Sequence, residues 1–370
     1  MFVLRWGVIS TGHIAAKFVR DIVLDPKTRN VHDVEHAVTA VGSRSVANAR
    51  EFIRECAGGD PSIKAYGSYD EVFNDPNVDA VYIGTPHPLH YPNALAAIKA
   101  KKHVLCEKPI TISENRLKSL IAASKAHEVF LMEAMWTRFL PLSLEIKKIV
   151  DSGELGLPCI LQADLSWDCN VKSLPSDHRL ISPNHAGGPL LDLGPYPLVW
   201  AIMILFEHPQ NNAMPPSSIV GSMVKTYTGV DNTTSFVLNF ENSPNAFAAQ
   251  AQLSCSQTAG TIDPGVIVRF EKGVMKIFAP IYCPQSCTIE RLGPTGEPDA
   301  ELITTTIKSV DFEGGGWHFQ ADEVARCIRD GKLESGLWSH EKSLLEMRVF
   351  DEVRRQGGYV FPPGLDKRSD

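Results

Sequence analysis

Apolar residues in the first third of the chain fall into short continuous runs separated by stretches of helical period. Leu4–Ser10 is apolar and passes through Thr11-Gly12-His13-Ile14-Ala15 into the helical stretch Ala16–Leu24. Ala37–Gly42 predicts a second strand, Val46–Cys56 a helix and Lys64–Tyr66 a short third strand. Ser68 and Glu71 are spaced as a capping box, and Asn74-Asp75-Pro76 stops the helix they open. Strands follow at Ala80–Gly84, His103–Cys106 and Val129–Glu133. Between them lie helices over Tyr91–Ala100 and from a second box, Thr111 and Glu114, to His127. Short apolar strands alternating with such helices are the pattern of βαβ units. Residues 1–134 are expected to form an α/β Rossmann domain, a doubly wound parallel sheet.

From residue 135 the pattern changes. Leu142–Asp151 and Pro195–Phe206 predict helices, and strands then dominate. They are expected at Ile160–Trp167, Ile219–Lys225, Thr233–Phe240, Phe247–Cys255, Val266–Phe270, Val274–Phe278, Thr288–Arg291 and Glu301–Ile307. Turn residues such as Glu271-Lys272-Gly273 separate neighbours, as hairpins require. Helices at Phe319–Arg329 and Glu341–Arg355 close the pattern. Residues 135–370 are expected to form one C-terminal α+β domain on a large, mainly antiparallel open sheet.

Composition narrows the class. With 44% hydrophobic and 21% charged residues the chain has an ordinary globular balance, which excludes disorder and collagen-like repeats. The net charge of −7 argues against nucleic acid or an anionic membrane as the main partner. No run reaches the ~18 apolar residues that a membrane span needs, and Leu198–Phe206 reads as a buried helix. The opening Met1–Gly7 lacks a charged leader before a long apolar stretch. The 8 cysteines include no C-x-x-C pair, and Cys283 and Cys287 lack the partner pair of a zinc site. Free thiols, no metal and a cytoplasmic location are expected.

The first strand runs into Ser10-x-Gly12-x-x-Ala15, a variant of the dinucleotide fingerprint. Gly12 lets a pyrophosphate approach the backbone, Ala15 is small where helix meets sheet, and the helix start, with His13 and Ile14, offers N–H donors. Ser10 replaces the first glycine. After the second strand an NAD site places an acid for the ribose, whereas an arginine suits the 2′-phosphate of NADP. Here the chain reads Gly42-Ser43-Arg44-Ser45 with no acid before Glu51, so Ser43 and Arg44 point to NADP. Thr85-Pro86-His87-Pro88-Leu89-His90 follows the fourth strand, at the carboxyl edge where doubly wound folds bind ligands. Thr85, Pro86 and His90 are expected to line the cofactor crevice. Cys106-Glu107-Lys108-Pro109 ends the fifth strand and directs Lys108 to the same edge.

At these residues the chain resembles the glucose–fructose oxidoreductase/inositol dehydrogenase (Gfo/Idh/MocA) family. Within it, the chain looks most like the dimeric dihydrodiol dehydrogenases and the fungal NADP-dependent D-xylose 1-dehydrogenases. The resemblance runs through Arg5-Trp6-Gly7, Glu107-Lys108-Pro109, Met132–Phe139, Gly187–Pro197, Ala321-Asp322-Glu323 and Arg329–Ser335. Ser10 departs from the wider family's glycine.

The resemblance implies that residues 1–134 bind NADP and that residues 135–370 bind a small-molecule substrate and form a homodimer. It makes Tyr196 the acid/base, Lys108 the cation that favours its phenolate and touches the nicotinamide ribose, and Asp192 a partner of substrate or lysine. A free tyrosine has a pKa of about 10 and needs such help near neutral pH. Asp192 lies four before Tyr196, one turn if both share a helix. Glu107, Trp136 and Arg138 fall beside the cofactor in this resemblance. Trp167, Asp168, His178 and Arg179 are candidate pocket groups. The implied activity is an NADP-dependent dehydrogenase acting on an aldose, D-xylose first, to give a lactone. The alternatives are a trans-dihydrodiol dehydrogenase, a dicarbonyl or natural-product carbonyl reductase and, from another class, a non-catalytic dinucleotide-sensing regulator.

Overall fold

The computed structural model describes residues 1–241, 244–245, 247–291 and 303–366. They divide into two compact units: 1–139 with 311–347 and Asp366, and 140–310 with 348–365.

The first unit is built on strands β1 (Phe2–Ile9), β2 (Val34–Gly42), β3 (Lys64–Tyr66), β4 (Ala80–Ile83), β5 (His103–Glu107) and β6 (Leu131–Ala134). All pair in parallel, in the order β3-β2-β1-β4-β5-β6. The connecting helices are α1 (His13–Ile22), α2 (Val46–Cys56), α3 (Tyr69–Phe73), α4 (His90–Lys99) and α5 (Glu114–His127). Every residue of β4 and β6 is buried, which is why β4 reads as a continuous apolar run, while β6 is apolar apart from the buried Glu133. Close packing requires Gly7, because a Cβ there would lie 2.5 Å from Val72 of α3.

Ser68 and Glu71 form both bonds of the capping box. The second expected box does not form: α5 starts after Ser113, and the Thr111 hydroxyl donates to the Ser113 carbonyl at 2.8 Å. Thr111 precedes Ser113 by two residues, so a local turn captures its hydroxyl before it can cap.

The expected single boundary after residue 134 is also revised, since 311–347 fold with the first unit. The physical reason is a buried charge network on α9 (Trp317–Arg329). Asp21 of α1 accepts the N–H groups of Gly315 and Trp317 at 2.9 and 2.8 Å and faces His318 at 3.2 Å. Asp322 takes Arg29 bidentately at 2.8 and 2.7 Å and His36 Nε2 at 2.9 Å. Trp6 donates to His36 Nδ1, which leaves Nε2–H as the donor to Asp322.

The second unit carries an eight-stranded sheet. Its strands are β7 (Pro158–Ser166), β8 (Ser218–Lys225), β9 (Asp231–Phe240), β10 (Ala249–Ser256), β11 (Val266–Phe270), β12 (Gly273–Ile277), β13 (Ser286–Arg291) and β14 (Ile303–Lys308). The order is β14-β13-β12-β11-β7-β10-β9-β8, antiparallel except for β7 with β10. Glu301, with which the last expected strand begins, lies outside the described residues. Helices α6 (Pro141–Ser152), α7 (Pro189–Asp192) and α8 (Pro195–Ala201) belong here, with a π-turn continuing α8 over Ile202–Phe206. Pro195–Phe206 is buried throughout, as its apolar run predicts. The last helix, α10 (His340–Gly357), contributes residues to both units. Among the described residues no single helix is long and apolar enough to cross a membrane.

Candidate active site

The turn between β1 and α1 is shaped for a dinucleotide. Ser10 adopts φ +91°, a conformation that normally selects glycine, and its Oγ accepts the Gly12 N–H at 3.2 Å. Gly12 itself has an ordinary φ of −78°, and a Cβ there would meet nothing closer than 3.4 Å. The protein's own packing therefore does not demand glycine at this position; close approach of a phosphate to the backbone would. Thr11, Gly12 and His13 are exposed or partly so, α1 has no side-chain cap, and its first turn carries no acid. These N–H groups fit a pyrophosphate. Thr11 and Ser43 hydroxyls lie 3.4 Å apart, joining this turn to the end of β2, where Arg44 is exposed. Glu51, the first acid beyond β2, is paired with Arg54 at 3.2 Å.

At the ends of β4 and β5 the structure brings Thr85, His90, Glu107 and Lys108 into one region. His90 is fully buried, its Nε2 2.6 Å from the Thr85 carbonyl and its Nδ1 2.8 Å from that of Pro109. Burial pushes the ring down to about 4 against the pull of both carbonyls, with the Lys108 charge adding to burial. The neutral ring has one N–H and can donate to one of these two carbonyls, so His90 sits between the two loops and ties to one of them at a time. Thr85 accepts the Asn93 amide at 3.2 Å, and Pro86 is exposed beside it. Glu107 is buried, accepts the Tyr82 hydroxyl at 2.7 Å and receives the Lys108 N–H at 3.3 Å. Burial pushes its carboxyl up to about 7, against Tyr82 and the Lys108 charge. Glu133 of β6 accepts the Ile110 N–H at 2.8 Å and the Trp338 indole at 3.0 Å, fixing the segment that follows Lys108.

Trp136 and Arg138 lie in a buried 3-10 turn, Trp136–Phe139. The Trp136 ring stacks on Trp317 at 4.3 Å, and the Lys17 ammonium sits 5.2 Å from the Trp317 ring. One face of Trp136 is thus covered by its own unit.

In the second unit, Asp192 ends α7 and Tyr196 lies in the first turn of α8. The two residues do not share one helix: α7 ends at Asp192 and α8 begins, as expected, at Pro195, which has no N–H to donate across the junction. Gly194 makes the close approach possible: a Cβ there would be 2.3 Å from the Leu190 carbonyl oxygen. Asp192 is paired with Arg179 at 3.4 Å, and the Tyr196 ring is 5.6 Å from that of Tyr282. Trp167 is 59% exposed. Asp168 Oδ1 and His178 Nδ1 accept the N–H groups of Asn170 and Leu180 at 2.9 and 3.3 Å.

Residues 4–135 match the oxidoreductase family with an NAD-binding Rossmann fold, and residues 143–276 match the GFO/IDH/MocA C-terminal domain. The chain is 36% identical to the D-xylose 1-dehydrogenase (NADP(+)) of Hypocrea jecorina, over 98% of this chain and 94% of that protein. The chain belongs to the GFO/IDH/MocA oxidoreductase family. Within the family it is also 35% identical to the trans-1,2-dihydrobenzene-1,2-diol dehydrogenase of Danio rerio, over 97% and 98% of the two chains. The aldose-aldose oxidoreductase of Caulobacter crescentus shares the fold, with a TM-score of 0.76, 21% identity and 96% and 97% coverage.

Several residues of this GFO/IDH/MocA oxidoreductase escaped the sequence. Trp317, Tyr282 and Glu133 take part in or brace the regions described, and of these only Glu133 lies in a stretch that carries the family resemblance, where its bracing role was not read. Glu133 lies within β6, and only tertiary pairing reveals what it holds.

Proposed function

We propose that the chain is an NADP-dependent dehydrogenase that oxidises a hydroxyl-bearing carbon, with the C1 hydroxyl of an aldose such as D-xylose as the first substrate. The observation that carries the cofactor choice is the end of β2, where Ser43 and exposed Arg44 stand in place of an acid. The 36% identity to an NADP(+) D-xylose 1-dehydrogenase supports the substrate. A second reading, a trans-dihydrodiol dehydrogenase, is favoured by the 35% identity to the Danio rerio enzyme.

Ser10, Thr11, Gly12, His13 and Ile14 would hold the pyrophosphate, and Ser43 and Arg44 the 2′-phosphate. Thr85, Pro86 and Lys108 would lie along the nicotinamide half, braced by His90, Glu107, Trp136 and Arg138. Bound NADP⁺ supplies the hydride acceptor. Tyr196 takes the hydroxyl proton as the substrate C–H bond breaks and the carbonyl forms, which for a ring aldose yields a lactone. Lys108 favours the phenolate by its charge, and Asp192 orients substrate or lysine. A homodimer through the open face of the eight-stranded sheet and a cytoplasmic location complete the proposal.

The test compares Lys108→Met and Tyr196→Phe with the unsubstituted protein. Each should lower kcat by about 10²–10⁴-fold, the range for loss of general acid–base catalysis, while NADPH binding is retained. Turnover surviving in both variants overturns the assignment.

A further inference from the structure

The segment Gly187–Tyr196 folds over one buried carboxylate that the proposed chemistry does not use. Asp231 opens β9 and is completely buried. Its Oδ2 accepts the Leu190 N–H at 2.8 Å and the Thr234 hydroxyl at 2.8 Å. Its Oδ1 fills the space that a side chain on Gly188 would need: a Cβ there would lie 1.8 Å away, at φ +107°. Gln257 Nε2 donates to the carbonyls of both Asp231 and Leu180, at 3.3 and 3.2 Å. The Leu180 carbonyl also accepts the Gly188 N–H at 2.8 Å, and the Tyr359 hydroxyl donates to the Gly187 carbonyl at 3.1 Å.

This seat is continuous with Tyr196. The carbonyl of Leu190 packs against Gly194 so tightly that only glycine fits. The Gly194 N–H donates to Pro189 at 2.9 Å, the Tyr196 N–H to Leu193 at 3.1 Å, and the Leu198 N–H to Gly194 at 3.2 Å. The turn that carries Tyr196 is therefore built directly on the turn that Asp231 anchors. Burying a carboxylate is costly; here Oδ2 carries both bonds, one of them to the start of α7, while Oδ1 is buried with no hydrogen-bond partner among the described residues.

We propose that Asp231 is a positioning residue for Tyr196, holding α7 so that the tyrosine hydroxyl keeps its place against the substrate. The proposal rests on the reading of Tyr196 as the proton acceptor. Its test uses full-length Asp231→Ala, Asp231→Asn, Thr234→Val, Tyr196→Phe and the Asp231→Ala/Tyr196→Phe double variant. Rates are measured with D-xylose or trans-1,2-dihydrobenzene-1,2-diol, whichever the unsubstituted protein turns over.

Asp231→Ala should lower kcat at least tenfold (about 1.4 kcal/mol), with the NADPH dissociation constant unchanged within twofold. Asp231→Asn keeps an acceptor for Leu190 and should restore most of the loss. On the residual rate of Tyr196→Phe, Asp231→Ala should add no further cost, a coupling that mere destabilisation would not produce. Full kcat in Asp231→Ala, or an equal loss in the Tyr196→Phe background, overturns the proposal while leaving the role of Tyr196 intact. Full turnover in Tyr196→Phe overturns that role and the proposal with it. Should Asp231→Ala fail to fold, Thr234→Val decides: a kcat reduced severalfold with unchanged cofactor binding supports the proposal, and an unchanged kcat overturns it.

Discussion

Ser10 holds a φ of +91°, and its Oγ accepts the N–H of Gly12 at 3.2 Å. An L residue at such a φ costs about 1–2 kcal/mol, and an exposed hydrogen bond returns about 0.5–1.5 kcal/mol. Glycine would relieve the strain but lose the bond and pay about 0.5–1 kcal/mol of chain entropy. Ser10→Gly should leave stability within about 0.5 kcal/mol, whereas Ser10→Ala keeps the strain, loses the bond and costs about 1 kcal/mol. Urea denaturation of both variants checks the order; alanine proving the more stable contradicts the account.

Arg44 should decide between the two pyridine nucleotides. Charge-assisted bonds to a phosphate are worth about 1.5–3 kcal/mol. Arg44→Ala is expected to weaken NADPH binding by about tenfold or more while changing NADH binding less than about threefold. Fluorescence titration with each nucleotide reads this directly, and equal losses for both would remove Arg44 from the 2′-phosphate.

Glu107 should leave a mark on stability against pH. Its folded carboxyl is pushed up to about 7, while an unfolded glutamate titrates near about 4.3. Between those values the folded state binds more protons, so this group's stabilising contribution falls as pH rises and levels off above pH 7. His90 acts in the opposite sense: held at about 4 when folded, it makes stability rise with pH up to about 6.5. Glu107→Gln should therefore gain relative to the unsubstituted protein, by an amount of order 2–3 kcal/mol, as pH goes from about 4.5 to 7. Chemical denaturation across that range with no change in the difference between the two proteins contradicts the burial argument.

The periodicity of the chain made most of the fold legible. All six strands of the parallel sheet begin within three residues of expectation, because fully buried strands such as Ala80–Ile83 read as unbroken apolar runs. The Ser68–Glu71 box was legible because both partners lie within one turn. What the sequence could not show depends on distant pairing. Asp322 meets Arg29 and His36, and these contacts draw α9 into the first unit although its local pattern matches any amphipathic helix. The region around Lys108 was legible from its place after a strand, but the bracing by Glu133 and Trp338 joins positions about two hundred residues apart. The helix start at Pro195 was legible, whereas the short α7 that ends at Asp192 was not.

The central claim is hydride transfer to NADP⁺ from a sugar hydroxyl. The direct measurement is absorbance at ~340 nm, where the reduced nicotinamide absorbs, with purified protein, NADP⁺ and D-xylose, repeated with NAD⁺ and with trans-1,2-dihydrobenzene-1,2-diol. The account predicts that NADPH appears with D-xylose and that NAD⁺ supports a much slower rate. Turnover of the diol alone would select the second reading, and no reduction of NADP⁺ with either substrate would contradict the account.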